Sequence, residues 1–569
     1  MKHCPKCSKT YSDETLNFCL DDGEWLREAS DPGEPATAIL HETDPPSEAA
    51  TRAQIHETDR TASVPSGIGQ WKGTPIRSGR KFGIIAGLVI AAAALGFFGY
   101  SYFASDSKPI NSIAVLPFAN ASGDKETEYL GEGLSESLIN SFTTIPQLKV
   151  TARSTAFRYR GREGEPLSIG KELGVGSILT GSLLERGDSL NIQVDLVSTS
   201  DGSQIWGKRY SGKSSEIVGI QQQIAKDVSE QLRLKLTGTQ AEQVTKTHTA
   251  DPEAYQLYLK GEYHWHKRGY EEMLKAADYF NQAIEKDPGY ALAYAGLALT
   301  YTLGPDWGNA PPETSHPKAK AAALRALELD GSLAEPHAVL GMYFSHAEWN
   351  WAEAEKEFRR AIELKPDYAT AYQWLSTEVL IPQNRLDEAI AEGKRARELD
   401  PLSAIISTRL GYAFFVARRY DEAIAMHRRS LDIDPNFSFA HNSLGNTLLA
   451  KGQYNEAIAA SRKAVELSIN DPWDKGYLAF GLAKAGHRDE AIKIIEELKH
   501  PAADIYVPAI VIALPYLALG NKEESLAWLE KEVAAHGSDG PTIAADPNFD
   551  DLRSDPRFKA LLKRMNLPE

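Results

Sequence analysis

Cys4, Cys7 and Cys19 are the chain's three cysteines, and all lie near its start. Cys4 and Cys7 form a C-x-x-C pair. That spacing turns two thiolates toward one metal ion. After Cys19 a tetrahedral zinc site calls for a second C-x-x-C. The sequence instead reads Cys19-Leu20-Asp21-Asp22, so a carboxylate fills the fourth slot. Asp is a legitimate zinc ligand, and Gly23 beside it eases the tight turn such a knuckle needs. The expectation is one zinc ion held by Cys4, Cys7, Cys19 and Asp22. His3 adjoins Cys4 and breaks the knuckle spacing. A segment of about 26 residues buries too little apolar surface to fold alone, so metal would supply its stability. The competing reading is a degenerate site that has lost its metal.

Other candidates carry less chemistry. His264-Trp265-His266 lies in a helical pattern, where residues at i and i+2 face different sides. Packing and surface roles are therefore expected for both histidines. Gly131-Glu132-Gly133 lacks the third glycine of a nucleotide fingerprint. No phosphate-loop, nucleophile-elbow, zinc-protease or kinase motif set occurs. The chain is expected not to be an enzyme. Its net charge of −16 argues against nucleic acid as the main partner.

The elements that would position these residues divide the chain into segments. Residues 28–80 are rich in Pro, Thr, Ser, Ala and Glu and read as a disordered linker. A near-repeat, Leu40-His41-Glu42-Thr43-Asp44 and Ile55-His56-Glu57-Thr58-Asp59, places two threonines in acidic surroundings. They are candidate phosphorylation sites or simply part of a solvated tether. Residues 82–104 carry no charge and are long enough to cross a bilayer as one helix. Lys72, Arg77, Arg80 and Lys81 precede this span, while only Lys108 follows closely. The positive-inside rule then puts the N-terminus in the cytoplasm and the larger part outside. Zinc thiolates suit that reducing side. A cleaved signal peptide is not expected, because about eighty residues precede the apolar run. Gly83, Gly87 and Ala91 recur every fourth residue, a small-residue face through which two spans could pair as a homodimer.

Residues 110–238 alternate strand and helix patterns, which predicts an α/β domain. SIAVLPF reads as a buried strand, and LKVTARS as a second. EYLGEGLSESLINSF carries Leu130, Leu134, Leu138 and Phe142 on one helical stripe. PLSIGKELG reads as a short helix. Residues 177–213 alternate apolar and polar side chains, with turns at Arg186-Gly187-Asp188 and Asp201-Gly202, and predict an antiparallel meander.

From residue 252 the chain repeats. Ala276, Ala319, Ala354, Ala389, Ala423, Ala457 and Ala491 are spaced 43, 35, 35, 34, 34 and 34 residues apart. Leu340-Gly341, Leu410-Gly411 and Leu444-Gly445 keep step with them. Asp287-Pro288, Lys365-Pro366, Asp400-Pro401 and Asp434-Pro435 fall where second helices should stop. The insertion GPDWGNAPPETSHP accounts for the long gap and is expected to be a loop. This is the tetratricopeptide pattern of paired helices, with about seven to eight repeats over 252–535. Residues 541–569 are expected to cap the solenoid's apolar end. On its concave face the repeat positions place Gln373, Thr377, Thr408, Tyr412, Phe415, Asn442 and Asn446 as candidate partner-binding residues. No flanking lysine pairs provide a clamp for a peptide C-terminus.

Three resemblances sharpen this reading. The first 27 residues resemble short bacterial zinc ribbons that begin CPKC and continue Phe-Cys-x-x-Asp-Gly. IAVLPF, EYLGEGLSESLI, VTARSTAFRYRG, IGKELGVGSILTGSLL and DGSQIWGKRY resemble, in order, the TolB amino-terminal-like domain related to FlgO and CsgG-type envelope proteins. That likeness implies an interaction domain and no catalytic residue. The repeats resemble tetratricopeptide repeat (TPR) proteins, and the tail resembles the segment that often follows such repeats in TolB-like signalling proteins. The expected fold is therefore multidomain: zinc ribbon, linker, transmembrane helix, α/β domain and all-α solenoid. The expected function is a plasma-membrane, single-pass scaffold or sensor, with its α/β and repeat domains in the periplasm, binding protein or peptide partners. The alternatives are an envelope assembly factor and, behind it, an enzyme or a regulator of a cytoplasmic signalling enzyme.

Overall fold

A computed structural model describes residues 110–568, save 163, 233, 235, 308–309, 469–470 and 503–504, and three dipeptide strands nearer the N-terminus. Strand β1, Lys2–His3, pairs antiparallel with both β2, Thr10–Tyr11, and β3, Arg27–Glu28. Cys4, Cys7, Cys19 and Asp22 lie outside the described residues. So do the linker beyond Glu28, the span at 82–104, and Gly83, Gly87 and Ala91. Among the described residues no helix is long and apolar enough to cross a membrane.

The α/β part is a mixed sheet with spatial order β6-β4-β7-β8-β9. Strand β4 is Ser112–Val115, β5 is Ala119–Asn120 and β6 is Lys149–Val150. Strands β7, Ser177–Arg186, β8, Ser189–Ser198, and β9, Gln204–Lys213, form the meander. β4 runs parallel to β6 and β7, β5 also pairs with β7, and the meander is antiparallel. Gly187, at φ 58°, supplies the left-handed backbone that the tight β7–β8 turn requires. On one face Leu130, Leu134, Leu138 and Phe142 of the helix Glu128–Thr143 pack against Ile113, Val115, Leu179 and Ile192. The helix Ile217–Gln231 adds Ile224 and Val228 to the same core. Burial of these side chains, at roughly 1.5–3 kcal/mol each, holds the layer together. The strand expected over LKVTARS is shorter than its sequence pattern. It ends at Val150, and Arg153–Ala156 turns into helix because Ser154 and Thr155 hydrogen-bond to Asp400 in the repeats.

The rest of the chain is helical pairs. They are Pro252–Lys267 with Tyr270–Lys286, Ala291–Thr302 with Pro312–Leu329, and Glu335–His346 with Trp351–Leu364. A first helix over Ala369–Leu375 continues as a π-turn through Leu380 and pairs with Leu386–Leu399. Then come Ala404–Val416 with Tyr420–Ile433, Ser438–Ala450 with Tyr454–Ser468, Pro472–Lys484 with Arg488–Lys499, and Ile510–Ala518 with Lys522–Ala534. The seven alanines that set the period are each at most 2% exposed. The glycines that accompany them mark the closest approaches. A Cβ on Gly341 would stand 2.8 Å from the Phe358 ring, and one on Gly411 would stand 2.5 Å from His427. The insertion differs from the loop expected. Pro312 opens a helix at its first position, where no N–H is needed, and Pro317 lies inside that helix.

The tail also departs from a simple end cap. Phe549, Phe558 and Met565 do pack on Leu526, Leu529 and Val533 of the last pair. The same cluster, however, takes in Trp349 and Trp351 of an earlier repeat. Trp351 Nε1 donates to the Met565 carbonyl at 3.0 Å, and His536 stacks on Trp349 at 4.1 Å. The tail thus crosses the inner face of the solenoid. It does so because apolar side chains on both sides of that groove need cover.

Overpacking one alanine crossing tests this packing. Ala423→Leu should lower stability by about 1–3 kcal/mol, read as an earlier denaturant midpoint for loss of helical signal. An unchanged midpoint would contradict the close helix crossing.

Candidate functional site

The residues expected on the concave face divide into two groups. Gln373 and Thr377 are buried against each other on one helix, with Gln373 Nε2 donating to Thr377 Oγ1 at 3.4 Å. Thr408 turns toward its partner helix and donates to Ser430 Oγ at 2.8 Å. These three satisfy one another or the repeat itself. Tyr412, Phe415, Asn442 and Asn446 instead line one cavity of about 100 Å³. First helices of successive repeats supply one wall, and the tail supplies the other through Asp539, Thr542, Asp546 and Phe549. Asn446 Oδ1 accepts from Asn548 Nδ2 of the tail at 3.1 Å. The chain's own C-terminal segment therefore covers this part of the inner face.

The cavity is rich in carboxylates. Asn442 Nδ2 donates to Asp474 Oδ1 at 2.6 Å, while Asp474 Oδ2 is buried without a hydrogen-bond partner. Asp471 caps the helix that follows it, accepting from the Trp473 N–H at 2.8 Å. Asp306 accepts from Ser538 Oγ at 2.9 Å. Burial pushes Asp539 up to about 8, and the neighbouring Asp306 charge adds to the shift. Burial likewise holds Asp546 at about 7 and Asp471 at about 6. Arg409 is half-buried beside Glu378, Asp539, Asp306 and Tyr412. His427 is fully buried and burial lowers it to about 3, so its ring is neutral.

Sequence reasoning missed this acidic set. Asp306, Arg409, Asp474 and Asp546 come from separate repeats, the insertion and the tail, and no local spacing joins them. The one available signal was Asp471-x-x-Asp474, which reads first as a helix start.

A second cluster forms around His266, for which a packing or surface role is expected. Glu136 of the α/β domain and Glu262 and His266 of the first repeat helix bring one ligand atom each within 4.8 Å of one another. His266 Nε2 lies 2.8 Å from Glu136 Oε1. Arg153 Nε donates to the other oxygen of Glu136 at 2.9 Å. Burial lowers His266 to about 4, with Arg153 beside it acting the same way. Burial opposes ionisation of Glu136, but His266 and Arg153 outweigh it and hold that carboxyl at about 2. His264 points elsewhere, to Glu272 at 2.7 Å.

The α/β domain touches the solenoid at several places, among them the end of the third repeat, where Lys365 Nζ donates to Asn140 Oδ1 at 3.3 Å. Tyr255 OH is 2.9 Å from Ser137 Oγ at the first repeat, and Thr155 Oγ1 donates to Asp400 at 2.9 Å near the fifth. Beside these contacts lies a cleft of about 1340 Å³, lined by Arg153, His266, Lys365, Tyr368, Trp374 and Arg395 among others.

Comparison with known proteins agrees with the helical pairs. Family profiles described as tetratricopeptide repeat match residues 378–437 and 428–459. The chain carries TPR repeats, an architecture that binds protein partners. A curated relative named "Putative adenylate cyclase 3", from Rhizobium meliloti (strain 1021), is 31% identical over 237 residues, or 41% of this chain. The chain spans only 40% of that relative's length. Among solved structures, Pseudomonas aeruginosa PilF is 21% identical over 38% of this chain and 94% of its own, with a TM-score of 0.30. PilW, titled a type IV pilus biogenesis factor, is 21% identical over 37% of this chain and 92% of its own, with a TM-score of 0.31. A human IFIT1 dimer with m7Gppp-AAAA is 14% identical over 56% of this chain and 78% of its own, with a TM-score of 0.37.

The carboxylates give the protein a pH signature. Asp539 and Asp546 sit at about 8 and about 7 when folded, against an ordinary value near 3.9. The folded state therefore holds more protons than the unfolded one, and stability falls as pH rises. Half-buried His266 and buried His427, held near 4 and 3, act in the opposite sense only below about pH 6.5. Denaturant midpoints should thus fall between about pH 6.5 and 8.5, and Asp539→Asn with Asp546→Asn should flatten that slope. An equally steep slope in the double variant would contradict the assignment.

Proposed function

We propose that this chain is a membrane-anchored scaffold or sensor whose solenoid and TolB-like α/β domain engage protein or peptide partners together. The observation that carries this reading is the large cleft between the two. The α/β domain contacts the solenoid at the first repeat, at Lys365 and near the fifth repeat, and a cleft lies beside these contacts. That space exceeds the roughly 300–1,000 Å³ of a drug-sized ligand site and suits a segment of polypeptide. It mixes Lys365, Arg395 and Arg153 with Tyr368 and Trp374, a surface that offers both apolar anchors and hydrogen bonds.

The span at 82–104 would anchor the chain, with the N-terminus in the cytoplasm and the described domains in the periplasm. Pairing through Gly83, Gly87 and Ala91 would make it a homodimer. Zinc on Cys4, Cys7, Cys19 and Asp22 would stabilise the N-terminal segment, and the pairing of β1 with both β2 and β3 fits a small ribbon. In this reading the chain binds and relays rather than catalyses. A second reading, a regulator of a signalling enzyme, is favoured by the likeness to part of a relative named a putative adenylate cyclase.

Site-specific cross-linking in cells tests the cleft. A photoreactive phenylalanine analogue at Tyr368, in the cleft, should give adducts of discrete mass. The same group at exposed Tyr454 should not. Equal labelling from both positions, or none from Tyr368, would overturn the reading.

A further inference from the structure

We propose that the cavity between the solenoid and its tail binds a small organic cation, an alkylammonium or methylated ammonium group. The site is bounded by aromatic rings of Tyr412, Trp473, Tyr477 and Phe549. It is also bounded by the carboxylates of Asp471, Asp474, Asp539 and Asp546. Aromatic faces and carboxylates together are the chemistry that holds a desolvated ammonium ion, through cation–π attraction and charge. The site rests on the sensor reading above for its purpose, and calorimetry of the cavity reads it separately from cross-linking in the cleft.

Asp474 points to a missing partner. Its side chain is 3% exposed, one oxygen is taken by Asn442, and Oδ2 has no hydrogen bond. A buried carboxylate oxygen left unpaired is costly unless something else satisfies it. Arg409 also lines the cavity, where it acts on Glu378, Asp539, Asp306 and the Tyr412 ring and leaves Asp471 and Asp474 as the carboxylates open to a ligand. Beside Asp474 stand the Ser438 and Ser468 hydroxyls and His441, and beside Asp471 stands Asp474 itself.

A metal ion suits the place poorly. Among the described residues, the one set of three ligand groups that converges within 4.8 Å is Glu136, Glu262 and His266, away from this cavity. The aspartates are spread around rings instead, as a bulky, diffuse cation requires. Size limits the ligand as well. A cavity of about 150 Å³ accepts benzene, so about 100 Å³ here admits a trimethylammonium group or a short alkylamine. The tail forms part of the wall, so an occupant would fasten residues 539–549 to the first helices of the later repeats.

Calorimetry on the full-length protein in detergent tests this. Trimethylammonium should saturate one site per chain. The near-isosteric neutral tert-butanol should bind about tenfold or more weakly. Asp474→Asn and Tyr412→Leu should each weaken the cation about tenfold or more. Asp471→Asn, which retains the helix cap, carries the same expectation should either of those variants fold poorly. Asp489→Asn, on an exposed helix start, should leave binding unchanged. Equal binding of tert-butanol, no saturable binding of the cation by the folded chain, or displacement by magnesium or calcium would each overturn the proposal.

Discussion

Close approach between paired helices is the constraint on which the rest of this molecule depends. At each crossing one helix offers a methyl group or a bare Cα. Ala354, Ala389, Ala423, Ala457 and Ala491 are all fully buried. Opposite Gly341 and Gly411 stand Phe358 and His427, so close that even one added carbon would collide. Larger residues there would push the helices apart and alter the path of the whole solenoid. Because the crossings are alike, successive first helices fall side by side and build one continuous inner wall.

That wall explains how residues far apart in the chain meet. Tyr412 and Asn446 hold the same repeat position, 34 residues apart, and Asn442 and Asp474 lie on the same run of first helices, so all four line one cavity. The tail completes it from the other side. Its apolar residues join the last pair to Trp349 and Trp351, while Arg418 pairs with Asp550 at 2.8 Å. The exposed ion pair adds little by itself; the buried rings hold the segment. What lies beneath is a space too polar for a core, with several carboxylates that burial pushes toward their protonated forms.

The repeat architecture was legible in the sequence because its cause is local. A 34-residue recurrence of alanine and Leu-Gly reflects helix crossings within each unit. The helix stripe Leu130, Leu134, Leu138 and Phe142 was legible for the same reason. The site was only partly so. Repeat position placed Tyr412, Phe415, Asn442 and Asn446 on the inner wall, yet it also placed Thr408 there, which turns to Ser430 instead. Nothing local announced that the tail would fold back over them. His266 shows the same limit. Its own helix offers Glu262 one turn away, but the closer partner, Glu136, reaches it from the α/β domain. Long-range pairing of this kind leaves no spacing to read.

The central claim is that the tail lies across the inner wall and closes it. Hydroxyl-radical footprinting of the intact chain, read residue by residue by mass spectrometry, tests it most directly. Phe549 on the tail and Trp349 and Trp351 beneath it are 1%, 7% and 6% exposed, whereas Tyr270 and Tyr454 are 44% and 43% exposed. The account predicts slow labelling of the first three and fast labelling of the two tyrosines. Labelling of Phe549, Trp349 and Trp351 as fast as Tyr454 would show an open groove with a detached tail, and would contradict the account.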